Sequence, residues 1–100
     1  MSIRTIPLSA IPAQIVSAVV NEQAFQIEIR QLGGSLFSTT TVDGELVASS
    51  VRAVSRGSIT PWPVSAVNTS VVWVDTQGDD DPRYEGLGSR WILAFEEAVS

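Results

Sequence analysis

Polar and apolar residues alternate along Ala24–Leu32: Phe25, Ile27 and Ile29 are separated by Gln26, Glu28 and Arg30. A period of two puts one row of side chains on a core and the other in water, which predicts a half-buried strand. The preceding run, Ala13–Val20, carries two patterns. Ile15, Val16, Val19 and Val20 fit one helical face, with Ser9 as a cap and Pro12 in the first turn. The run is also short and rich in Val and Ile, and Asn21-Glu22-Gln23 after it has the character of a turn. The strand reading is favoured, and it makes the two segments a hairpin.

The same logic extends along the chain. Ile3–Leu8 is a short apolar stretch holding Pro7, which cannot donate a ladder hydrogen bond, so it reads as an edge strand or an extended arm. Gly33-Gly34 is a turn, and Ser35–Val42 is Thr-rich and strand-like. Asp43-Gly44 is a strong two-residue hairpin signal, because a type I′ turn needs positive φ. Glu45–Val54 returns as the partner strand, with Val47, Val51 and Ala53 on one face and Glu45 and Arg52 pointing outward. Pro61-Trp62-Pro63 rules out helix and marks Ser55–Asn68 as an irregular loop over a surface. Val71–Asp75 is a continuous apolar run around Trp73 and suits a strand buried on both faces. Gln77–Ser89 is a polar loop, and Arg90–Glu96 closes the pattern with Trp91, Leu93 and Phe95 on one side. The expectation is one all-β domain spanning residues 1–100: a small sandwich or barrel of six to seven mostly antiparallel strands with an irregular Pro/Trp loop.

Composition narrows the function classes. The chain has 100 residues, 44% of them hydrophobic and 17% charged, which is not a disordered composition. Its net charge is −5, and its six cations are all arginines, scattered at 4, 30, 52, 56, 83 and 90. Such a surface is poorly suited to duplex phosphates or anionic lipid. No apolar run reaches the ~20 residues of a membrane span, and the first residues lack the form of a signal peptide. With no cysteine there is no disulfide or thiolate metal site. With no histidine the commonest general base and all imidazole ligands are missing.

Most of the remaining candidates for chemistry lie between residues 75 and 97. Asp79-Asp80-Asp81 could supply oxygens to Ca²⁺, but the spacing is not that of an EF-hand loop and no Glu closes it, so solvated turn residues are the plainer reading. Glu85, Glu96 and Glu97 could be paired carboxylates, without any sign of a cleft. Gly78, Gly86 and Gly88 lack the spacing and the lysine of a phosphate loop and read as turn glycines. Trp73 and Trp91 read as core. Trp62, between two prolines, serves equally well as loop packing or as an interface anchor. No catalytic residue, metal ligand or cofactor emerges.

The segment Val71-Val-Trp-Val-Asp75-Thr-Gln-Gly-Asp-Asp-Asp-Pro82-Arg-Tyr84-Glu-Gly86-Leu-Gly88-Ser-Arg90-Trp-Ile-Leu93 resembles the baseplate plug proteins of contractile-tailed phages. Their pattern is a strand ending in Asp, an Asp-Asp-Pro loop, a Tyr, a Gly-Leu-Gly-x-Arg turn and a closing apolar strand. Ile6-Pro7-Leu8-Ser9-Ala10-Ile11-Pro12 and Val42-Asp43-Gly44-Glu45 before Arg52 resemble the same family, so the likeness spans most of the chain. The resemblance implies a non-enzymatic virion component at the tail tip, assembled in the host cytoplasm. It would organise or plug the channel end beside hub, tail tube and spike proteins and copies of itself. On physical grounds Gly86 and Gly88 let the loop return into the last strand, Asp75 caps the loop by accepting backbone N–H bonds, and Arg90 pairs with Asp75 or another carboxylate. Asp79, Asp80, Asp81, Tyr84 and Trp62 are candidate partner contacts. The alternative is a free-standing carbohydrate- or cation-binding module built on Trp62 and the Asp79–Asp81 loop.

Overall fold

The computed structural model describes residues 2–60 and 69–97. Among the described residues there are seven strands: β1 (Ser2–Ile6), β2 (Ala13–Val20), β3 (Gln23–Leu32), β4 (Ser35–Val42), β5 (Glu45–Arg52), β6 (Val71–Asp75) and β7 (Trp91–Glu97). A single 3₁₀ turn covers Tyr84–Gly86, and no α-helix occurs among the described residues. Every strand pairing is antiparallel. The strands form two sheets, β2-β3-β4-β5 and β1-β7-β6, which pack as a small sandwich.

The larger sheet is a meander whose corners are dictated by turn chemistry. Asp43 (φ 52°) and Gly44 (φ 82°) adopt the positive φ pair of a type I′ turn. Asn21 (φ 47°) and Glu22 (φ 72°) do the same between β2 and β3, although Glu is a poor residue for that conformation. The two-residue turn makes Val20 pair with Gln23, so β3 begins one residue earlier than the alternation alone implies. Ala13–Val20 is a strand, paired with β3 along its whole length.

One continuous core fills the space between the sheets. Val20, Phe25, Ile27, Ile29, Leu36 and Val42 from the larger sheet meet Ile6, Val71, Trp73, Trp91, Leu93 and Phe95 from the smaller one. In β4 the inward row is Leu36, Ser38, Thr40 and Val42, so two hydroxyls are buried in the core. Neither hydroxyl meets a hydrogen-bond partner among the described residues.

Two sequence expectations need correction. In β5 the pairing with β4 shifts register twice, and Ser50 takes φ 50°. The first shift turns Ala48 inward opposite Thr40, and the second returns the row to Val51, opposite inward-facing Ser38, and Ala53; Ala48 and Ala53 are buried, while Val47 and Val51 are half-buried. In β6, Val71 and Trp73 are buried but Val72 and Val74 are half-buried, so the strand has one dry face rather than two. Segment 56–59 runs beside β6 instead: the Arg56 and Ile59 N–H groups donate to Trp73 and Val71 carbonyls, and Trp73 N–H donates to Gly57. Ile59 enters the core from this segment. Trp62 and its flanking prolines lie outside the described residues.

Candidate functional site

β6 ends at Asp75 directly opposite Trp91, the first residue of β7. The intervening loop must therefore leave the sheet and return within one strand spacing. Asp75 organises that return. Its side chain is fully shielded from solvent, although it sits at the end of a strand. Arg90 grips it in the forked geometry of guanidinium and carboxylate: Nε donates to Oδ1 and Nη2 to Oδ2, both at 2.9 Å. The backbone N–H groups of Gln77 and Asp80 donate to the same two oxygens at 2.9 Å. Four donors thus converge on one buried carboxylate. The Arg90 bonds above all, with the two N–H groups, hold its pKa far below the ordinary carboxylate range, outweighing the opposing cost of burial.

Arg90 is itself held in place. Its Nη2 also donates to Asp80 Oδ2 at 2.8 Å, and its guanidinium stacks 4.5 Å from the Trp91 ring centre. Arg83 approaches the same ring at 5.3 Å. Trp91 Nε1–H donates to the Asp80 carbonyl at 3.0 Å, which ties the core indole to the acidic loop.

The three consecutive aspartates diverge onto three different arginines. Asp79 pairs with Arg56 at 2.9 Å, Asp80 with Arg90, and Asp81 with Arg52 at 3.4 Å. Asp81 also accepts the Ser55 backbone N–H at 3.0 Å. The loop is therefore sewn to the end of β5 and to the segment that follows it. Among the described residues no group of three or more acidic side chains converges as a metal site would require. Arg52, Ser55 and Arg56 are the members of this network that sequence reasoning missed. The visible signal was four of the six arginines, at 52, 56, 83 and 90, facing four aspartates at 75 and 79–81. Nothing in one dimension showed that the loop folds back over β5.

The two glycines act for different reasons. A Cβ on Gly86 would overlap the Trp91 ring, so the 3₁₀ turn can lie flat on the indole only without a side chain. Gly88 has φ 85°, and its Cβ would run into the Leu8 carbonyl oxygen. Backbone bonds from Arg90 N–H to Gly86 O and from Gly88 N–H to Trp91 O complete the turn. Pro82 and Leu87 are buried beneath the loop, and Tyr84 packs half-buried against the core. The side chains of Asp79, Asp80 and Asp81 are exposed, as are Thr76, Gln77, Arg83, Glu85 and Ser89 around them, and Tyr84 is half-buried.

A carboxylate held ionised by a forked arginine neither accepts nor delivers protons near neutral pH, so this cluster is a clasp that fixes a loop. The sequence of the clasp also matches a family model: residues 3–98 match that of the cyanophage baseplate Pam3 plug gp18. The chain belongs to that plug family. The match takes in β2 to β7, all of β1 but Ser2, and the clasp between the last two strands. No curated protein matches the chain. Within the plug family the clasp acquires a plain meaning: a baseplate structural protein must hold surface loops in fixed shape, and Asp75 and Arg90 do this for the loop between β6 and β7.

Proposed function

We propose that this chain is a structural, non-enzymatic component of a contractile phage tail baseplate. As one β domain it plugs or organises the end of the central hub and tube through protein–protein contacts. The match of residues 3–98 to the baseplate plug family carries the reading. The clasp supports it, because a rigid loop loses less entropy on docking than a floppy one. The docking residues are Asp79, Asp80, Asp81 and Tyr84 on the rim of that loop, with Trp62 as a further candidate contact. Its partners are hub, tail tube and spike proteins, with further copies of the chain arranged around the tail axis. Contacts around such an axis join unlike surfaces of neighbouring copies. Assembly takes place in the host cytoplasm, and the product resides in the virion.

The test is reconstitution. The tagged chain is co-expressed with the hub, tube and spike proteins of the same phage, and the complexes are imaged by electron microscopy. Density for this chain at the baseplate end of the tube supports the reading. Tails that assemble with normal baseplates and lack it overturn the reading. An Asp79→Arg/Tyr84→Ala variant that incorporates as well as wild type overturns the assigned surface alone.

A further inference from the structure

A sheet edge is a row of unpaired backbone groups, and natural proteins disguise it by bulges, charges, prolines or cover. Three of the four edges here are managed in this way. β1 is five residues long, carries Arg4, and is followed by Pro7. β5 is distorted by two register shifts and a positive φ at Ser50. β6 is covered by segment 56–59.

β2 is the exception. Its eight residues, Ala13–Val20, include no charge, proline or glycine, and it pairs with β3 without a bulge. The two-residue turn at its end makes Val20 and Gln23 a hydrogen-bonded pair, so even-numbered residues turn their N–H and C=O groups toward β3. The Pro12 carbonyl, which accepts from Gln31 N–H, follows the same parity. The groups of Ala13, Ile15, Ser17 and Val19 therefore face outward, and no described residue takes them up. The same residues project their side chains on the solvent face, where Ile15 is 58% and Val19 72% exposed.

We infer that β2 pairs with β2 of a second copy, antiparallel about a twofold axis at Ser17. A second copy fits because the strand is its own complement. With Ser17 opposite Ser17, Ile15 lies opposite Val19 of the other copy, twice, and Val16 lies opposite Ala18 on the core side. Other registers that present the same backbone groups leave Ile15 or Val19 without an apolar partner. Antiparallel pairing at 15, 17 and 19 forms about six backbone hydrogen bonds and joins two four-stranded sheets into one. A net charge of −5 on each copy is no obstacle at this edge, because the strand itself is uncharged. The pairing is a property of the isolated chain and stands independently of the baseplate reading.

Light scattering after size exclusion, with the full chain at high micromolar concentration, tests the pairing. The wild type runs at dimer mass. Ile15→Lys and Val19→Lys, whose side chains point into solvent, run at monomer mass with unchanged circular dichroism. The chain has no cysteine, so crosslinking reads the register directly. A hydrogen-bonded pair holds Cα atoms about 5.5 Å apart, within disulfide range. Mild oxidation of Ser17→Cys yields a covalent dimer, whereas Ser49→Cys on β5 does not. A wild type of monomer mass, a dimer that survives both lysines, or equal crosslinking at 17 and 49 overturns the inference. So does a monomer whose β2 edge captures only a strand of another tail protein.

Discussion

Arg90 and Asp75 close a fifteen-residue span of chain with two parallel hydrogen bonds, and the carboxylate they involve is fully buried. Removing either partner strands the other. Asp75→Ala and Arg90→Ala each lower the melting temperature by about 5–10 °C, read by thermal circular dichroism. Arg90→Lys does not rescue, because an ammonium cannot donate along two parallel lines while stacking on Trp91. A double variant no worse than the worse single one confirms that the two act as a unit.

Acid sensitivity follows from the same contact. The folded state holds the Asp75 pKa well below its ordinary value of 3.8. The clasp's contribution is therefore complete above about pH 4, and it is lost progressively as pH falls from there toward the depressed folded value. Urea midpoints measured between pH 7 and pH 2 fall below pH 4 for the wild type. Asp75→Asn starts less stable and flattens that acid limb. A limb of equal steepness in the variant assigns acid sensitivity to other carboxylates.

Gly88 tolerates no side chain, since its positive φ and its closeness to the Leu8 carbonyl penalise a Cβ together. Gly88→Ala costs at least about 2 kcal/mol by chemical denaturation. Gly86→Ala is also destabilising, but through displacement of the Trp91 ring. Near-ultraviolet circular dichroism or tryptophan emission distinguishes the two: Gly86→Ala shifts the signal, and Gly88→Ala leaves the remaining native signal close to wild type.

The buried hydroxyl of Thr40 offers a gain. Valine has nearly the same shape and removes a polar group that has no partner among the described residues. Thr40→Val raises stability by about 1 kcal/mol, a rise of about 4 °C in Tm. An unchanged or lower Tm indicates that the hydroxyl is satisfied within the core.

The strands that were legible in one dimension are those whose causes are local. Phe25, Ile27 and Ile29 alternate because β3 has one wet face, and Asp43-Gly44 turns because its residues accept positive φ. On β5 the inward Ala48 was missed because a bulge is a two-strand event: its parity depends on which β4 residue each position meets. Ser38 and Thr40 are polar, yet strand parity carries them into the core. At the clasp, Asp75 and Arg90 flank a loop that sequence can bracket, so their roles could be framed from spacing. Arg52, Ser55 and Arg56 reach the loop from over twenty residues away, and that approach exists only in the folded chain.

The placement of β1 beside β7 governs the order of folding. β2 to β5 are neighbours in sequence and space, so the meander closes short loops and forms early. The smaller sheet pairs Ser2–Ile6 with Trp91–Glu97, and its central strand is the last of the seven in sequence. Until β7 arrives, β1 and β6 are not joined into a sheet over Phe25, Ile27 and Ile29, and Asp75 lacks Arg90. Pairing of β7 therefore joins β1 to β6 and brings Arg90 to Asp75 in the same step.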